Sequence, residues 1–138
     1  MNIGYLDSLP EVENRFGVEL DEGEKVVFTA ELSVFGTEKD SMLSGMETPY
    51  FTMTNKRILA DNRVGIWTMD HEEIVSFEKV EKKTLFFFKS VFFTVMLKEP
   101  IVYDDGKQSL MGFHFYFKDK DMPKIEEIVA KAFQSRGQ

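Results

Sequence analysis

From Lys25 to Lys118 the apolar side chains recur mainly at alternate positions, and beyond Asp121 their spacing becomes helical. Alternation sends successive side chains to opposite faces of an extended chain, so it dictates strands with one buried and one wetter face. No helical stretch separates these strands, and strands joined by turns pair antiparallel. Val26, Phe28, Ala30, Leu32 and Val34 are predicted on one face of a first strand, opposite Val27, Thr29, Glu31 and Ser33. Phe51 and Met53 share a face of the next strand, opposite Thr52 and Thr54. Further strands are predicted over 57–60, 66–69 and 74–80. The run 85–97 is the most apolar segment, interrupted by Lys89 and Ser90. Two short strands, or one long bent strand shared between two sheets, both fit it. In the last strand, 110–118, Met111, Phe113, Phe115 and Phe117 line one face, and Gly112, His114, Tyr116 and Lys118 the other. Asn55-Lys56 and Asp104-Asp105-Gly106 carry the chemistry of tight turns between strands.

Ile125, Ile128, Val129, Ala132 and Phe133 then fall on one stripe of a helix. Asp121 is its expected N-cap, Pro123 lies in its first turn and Gly137 stops it. A short helix is also predicted over 7–17, capped by Asp7 or Ser8, with Pro10 in its first turn and Leu9, Val12 and Phe16 on one side. Asp21-Glu22-Gly23-Glu24 reads as a turn into the first strand, without the alternate-position ligands of a calcium loop. The terminal stripe needs an apolar partner, and the open end of a strongly bent sheet lined by Phe rows supplies one. With 14 Phe among 138 residues, one aromatic core and one domain are expected. The expected fold is mainly β: an antiparallel, partly open barrel of about seven strands capped by the C-terminal helix. Residues 1–17 form a helical extension packed on a domain of residues 18–138.

The segment Tyr50-Phe51-Thr52-Met53-Thr54-Asn55-Lys56-Arg57-Ile58-Leu59 resembles the hydrophobic-x-hydrophobic-Thr-Asn-x-Arg-hydrophobic signature of the GRAM and bacterial pleckstrin-homology-like families. Leu20-Asp21-Glu22-Gly23-Glu24 resembles the lead-in of the same families, and 67–77, ending in Glu73-Ile74-Val75-Ser76-Phe77, is similar to their next hairpin. The resemblance covers roughly 18–134. It implies a pleckstrin-homology-like barrel closed by the terminal helix, with the helix at 7–17 added outside. The residues also make sense by themselves: Asn55 supplies the turn, Thr54 bonds backbone at the strand end, and Arg57 pairs with a nearby carboxylate. Lys56 and Arg57 as ligand contacts are the alternative.

Charge and composition narrow the function. The net charge is -7, and residues 1–24 hold seven acids against Arg15 alone. That balance argues against nucleic acid, which wants a basic footprint. Cys is absent, so disulfides, thiolate zinc sites and a cysteine nucleophile are excluded. A reducing, cytoplasmic setting is expected. No apolar window is long enough to span a membrane, and no signal peptide is visible. Asp70-His71-Glu72-Glu73 could suggest a metal cluster, but neighbours in a strand point apart, so it reads as a polar hairpin turn. His114 lies opposite the Phe row, as a surface or half-buried residue. No P-loop, Gly-x-Gly-x-x-Gly or nucleophile elbow occurs, so no enzyme and no cofactor are expected.

Two function classes remain. The first is a non-enzymatic interaction module that binds a protein partner or forms a homo-oligomer, through exposed strand edges and the acidic N-terminal helix. The second is peripheral binding of an anionic lipid headgroup. Relatives that bind phosphoinositides use basic residues in and beside the first strand-connecting loop. Here that connection, 36–49, sets Lys39 against Glu38, Asp40 and Glu47, which repels phosphate and disfavours an anionic membrane. Disorder is the expectation for this connection, and an adaptable apolar contact made by its Met42 and Met46 is the alternative. Residues 79–98 are locally basic, with Lys79, Lys82, Lys83, Lys89 and Lys98 against Glu81. The candidate anion or partner contacts are therefore Lys56, Arg57, Lys82, Lys83 and Lys89.

Overall fold

Residues 2–39, 42–43, 47–83 and 89–133 are described in a computed structural model. The alternating segments become seven strands: β1 (Val26–Thr37), β2 (Tyr50–Thr54), β3 (Arg57–Asp61), β4 (Ile66–Asp70), β5 (Ile74–Lys83), β6 (Lys89–Tyr103) and β7 (Gln108–Phe117). They form one antiparallel sheet in the order β4-β3-β2-β1-β7-β6-β5. β1 is long enough to serve both halves, pairing with β2 through its first residues and with β7 through its last. β4 and β5 end the sheet and are joined by a single 3-10 turn, His71–Glu73. The fold class expected from the sequence is the one observed.

The inner face is aromatic. Phe115 is fully buried and packs on Phe35 at 5.3 Å, on Phe51 at 5.2 Å and on Phe117 at 6.4 Å between ring centroids. Each such ring removes enough apolar surface from water to contribute about 2–3 kcal/mol. The helix α2 (Met122–Ala132) lays Ile125, Ile128, Val129 and Ala132 on this core, and Phe133 carries the contact on to Phe77 of β5. Asp121 sits at the N-cap, but its side chain makes no capping bond. Gly137, read as the helix stop, lies outside the described residues.

Three local expectations are corrected. The N-terminal helix α1 is Gly4–Asp7, not 7–17. Beyond Pro10 the Val12 N–H donates to the Val26 carbonyl of β1, a tertiary bond incompatible with the helix ladder. Residues 2–9 still pack on the domain: the Asn2 N–H donates to the Ala132 carbonyl, and Leu6 and Leu9 are buried. The second correction is one of phase. Phe35, not Val34, enters the core, because the pairing of β1 with β7 slips between Leu32 and Val34. One extra residue in one strand inverts every later side chain. Third, β1 runs on to Thr37, and the Leu43 N–H donates to the Phe35 carbonyl, so the connection begins by folding back on its own strand. Met46 and the stretch 85–88 lie outside the described residues; from Lys89 to Tyr103 the apolar run is one strand.

Phe115→Ala is expected to cost about 3–5 kcal/mol in denaturant unfolding, since it removes a ring that packs between β1, β2 and β7. A loss under about 1 kcal/mol would contradict this packing.

Candidate functional site

The Thr54–Arg57 turn is built around a carboxylate 33 positions earlier in the chain. Glu24 enters at the start of β1 with its side chain fully buried. Its Oε2 accepts from Thr54 Oγ1 at 2.6 Å and from Arg57 Nε at 2.8 Å. Its Oε1 accepts from the Asp21 N–H at 2.9 Å and Arg57 Nη2 at 3.1 Å. Arg57 Nη2 also donates to the Glu19 carbonyl. Thr54 Oγ1 accepts the N–H groups of Lys56 and Arg57, which closes the turn. Asn55 Oδ1 accepts the Lys25 N–H, and its amide donates to Asp7 Oδ1 and the Gly23 carbonyl. Burial alone would raise the Glu24 pKa, but the Arg57, Asp21 and Thr54 hydrogen bonds outweigh it and hold the carboxyl at about 2. Arg57 is correspondingly raised, chiefly by the bond to Glu24. The nearby carboxylate expected for Arg57 is thus Glu24.

His71 is buried and opens a 3-10 turn between β4 and β5, which lie at opposite ends of the sheet order, so the polar hairpin turn expected over 70–73 is not a hairpin. Its Nε2 lies 2.8 Å from the Thr54 carbonyl, which only accepts, so Nε2 carries the proton. Burial lowers its pKa and keeps the ring neutral. A cleft of about 570 Å³ opens beside it, lined by Lys56 and Arg57 but also by Asp21, Asp70, Glu72 and Glu73. Arg57 is already neutralised and Lys56 Nζ donates to the Glu22 carbonyl, so the acids dominate and the cleft repels anions. No group of three or more His, Asp or Glu among the described residues is arranged to hold a metal.

The five candidate contacts do not converge. Lys56 and Arg57 stand near the start of β5, whereas Lys82 and Lys83 lie at its far end, about 25 Å along the strand at 3.3 Å per residue. Strand alternation also splits the basic group. Lys83 pairs directly across from Lys89, while Lys82 points to the other face with its ammonium 5.8 Å from the Phe92 ring. Lys89 Nζ lies 3.7 Å from Glu81.

Sequence reasoning missed a second surface. β4 has no partner on its outer edge among the described residues, and β6 past Leu97 pairs only with β7. Between these edges lies a cleft of about 390 Å³, lined by Val64, Ile66, Trp67, Ile101 and Tyr103. Trp67 spans it, meeting Tyr103 edge-on at 5.3 Å and Phe113 at 5.6 Å. Val64 and Ile66 are 91% and 56% exposed. The available signal was Ile66, an apolar residue on the outward phase of a strand whose inward phase holds Trp67 and Met69.

No helix among the described residues is long and apolar enough to cross a membrane. Compared with known proteins, the chain matches no family model, no curated protein and no solved structure.

Glu24 binds its proton less tightly folded than unfolded, so its stabilisation is complete above pH 4.5 and is lost as pH falls toward 2. His71, with its lowered pKa, adds loss that begins as pH falls through 6.5, where the unfolded ring takes up a proton first. Glu24→Gln should lower stability at neutral pH by about 3 kcal/mol and flatten the acid limb between pH 4.5 and 2. An acid limb as steep as that of the parent protein would contradict the clamp.

Proposed function

We propose that this protein is a non-enzymatic interaction module of the pleckstrin-homology-like, GRAM-like type, and that it docks a protein strand on β4. The observation that carries the reading is the edge of β4, unpaired among the described residues, beside the apolar cleft at Trp67. An edge strand exposes backbone donors and acceptors that another strand can pair with, and alternate side-chain pockets supply selectivity. The other edge, β5, is protected: Glu78, Lys79, Glu81, Lys82 and Lys83 crowd it, and its pairing with β6 is irregular between Ile74 and Ser76. β4 (Ile66-Trp67-Thr68-Met69-Asp70) has no Lys, no Pro and no pairing irregularity with β3. The motif shared with GRAM-like proteins serves here as a scaffold, because Arg57 and Thr54 are spent on Glu24. A cytoplasmic place of action fits the absence of Cys.

The second reading, an anionic lipid headgroup on the basic hairpin, has one observation in its favour. Lys83 and Lys89 face each other across the ladder, and Glu81, which Lys89 shares with Lys79, leaves the local charge balance positive. Against it stand the dispersal of the remaining bases and the acid-lined cleft.

A benzophenone photo-crosslinking residue at position 66 should give protein adducts in the native cell, and one at the exposed Val75 of β5 should not. Equal yields, or none at position 66, would contradict strand docking. Vesicles of phosphatidylcholine and phosphatidylserine should not sediment the protein at physiological salt. Firm co-sedimentation abolished by Lys82→Glu with Lys83→Glu would favour the lipid reading instead.

A further inference from the structure

We infer that the strand received by β4 is the β4 of a second copy of this chain, laid antiparallel about a two-fold axis near Thr68. The inference rests on the strand-docking reading and names its partner. The backbone phase is set by the hairpin. The Asn62 N–H donates to the Gly65 carbonyl, and the His71 N–H to the Lys56 carbonyl, at the two ends of the β3–β4 register. Hydrogen-bonded pairs alternate along an antiparallel ladder, so Trp67 and Met69 bond back to β3. Ile66, Thr68 and Asp70 then direct their N–H and C=O groups outward. Three outward residues on a short strand match a copy of themselves run in the opposite direction.

Charge selects that direction. Arg63 precedes β4; its guanidinium lies over the Tyr50 ring at 4.2 Å and has no carboxylate partner among the described residues. Asp70 ends β4 and Glu72 and Glu73 follow it, all exposed and without an ion pair among the described residues. Antiparallel pairing sets Arg63 of each copy beside the acids of the other, whereas parallel pairing sets like charges together. Isologous contact of this kind closes at two copies and leaves no further β4 edge to pair. It also carries Val64 and Ile66 toward the seam. A single pair of short strands buries little area, so the dimer is weak, with Kd on the order of 10–100 µM.

Sedimentation equilibrium of the full chain from micromolar to millimolar concentration tests this. The average mass should rise toward that of two chains. Thr68→Pro removes an outward N–H without touching the bonds to β3, and should weaken association by about tenfold or more with an unchanged circular dichroism spectrum. Arg63→Glu should weaken it similarly, and adding Glu72→Arg with Glu73→Arg should restore it. A monomer at every concentration would overturn the inference, as would a dimer indifferent to both Thr68→Pro and Arg63→Glu. A monomeric chain that still crosslinks from position 66 to a different protein would refute self-pairing and leave strand docking intact.

Discussion

A carboxylate taken out of water at the mouth of the barrel organises this molecule. An unpaired charge with the burial of Glu24 would cost several kcal/mol, so the site persists only because donors converge on both oxygens. Those donors come from three places: the lead-in at Asp21, the strand end at Thr54 and the turn at Arg57. The clamp thereby joins the N-terminal segment, the start of β1 and the β2–β3 turn. The Thr54 carbonyl then receives His71, whose ring meets Phe133 at 5.3 Å. A line of contacts runs from the buried charge through the 3-10 turn to the end of the terminal helix, and β4 leads directly into that turn.

The strands and the terminal helix were legible because their signals are local. Alternation marked the Phe113, Phe115 and Phe117 row, the helical stripe marked Ile125 to Phe133, and Asp104-Asp105-Gly106 marked its turn through three positive φ angles. The departures have tertiary causes. Nothing near Val12 announces its bond to Val26, and nothing near Ser33 announces the slip that turns Phe35 inward. The polar site was half legible. Asn55 and Thr54 follow from turn chemistry, but choosing Glu24 among the chain's acids requires knowing that β1 lies beside β2. His71 looked like part of a polar turn because its burial comes from Phe133, far along the chain.

The distribution of charge separates scaffold from surface. The five candidate bases divide between two faces of the β5–β6 ladder and the rim of an acid-lined cleft. Charged side chains populate the long edge at β5, a common defence against unwanted sheet pairing, and are nearly missing from β4. A short edge with a single charged side chain, already ordered by its pairing with β3, is suited to selective pairing, since the ordering cost is met before a partner arrives.

The most direct test is a double-mutant cycle of Glu24→Gln and Arg57→Gln, read by denaturant unfolding at neutral pH. Because both charges are drawn into one buried network, a coupling of about 2 kcal/mol or more is predicted. Coupling within about 0.5 kcal/mol of zero would mean the pair is incidental, and the account of the motif as a structural clamp would be wrong.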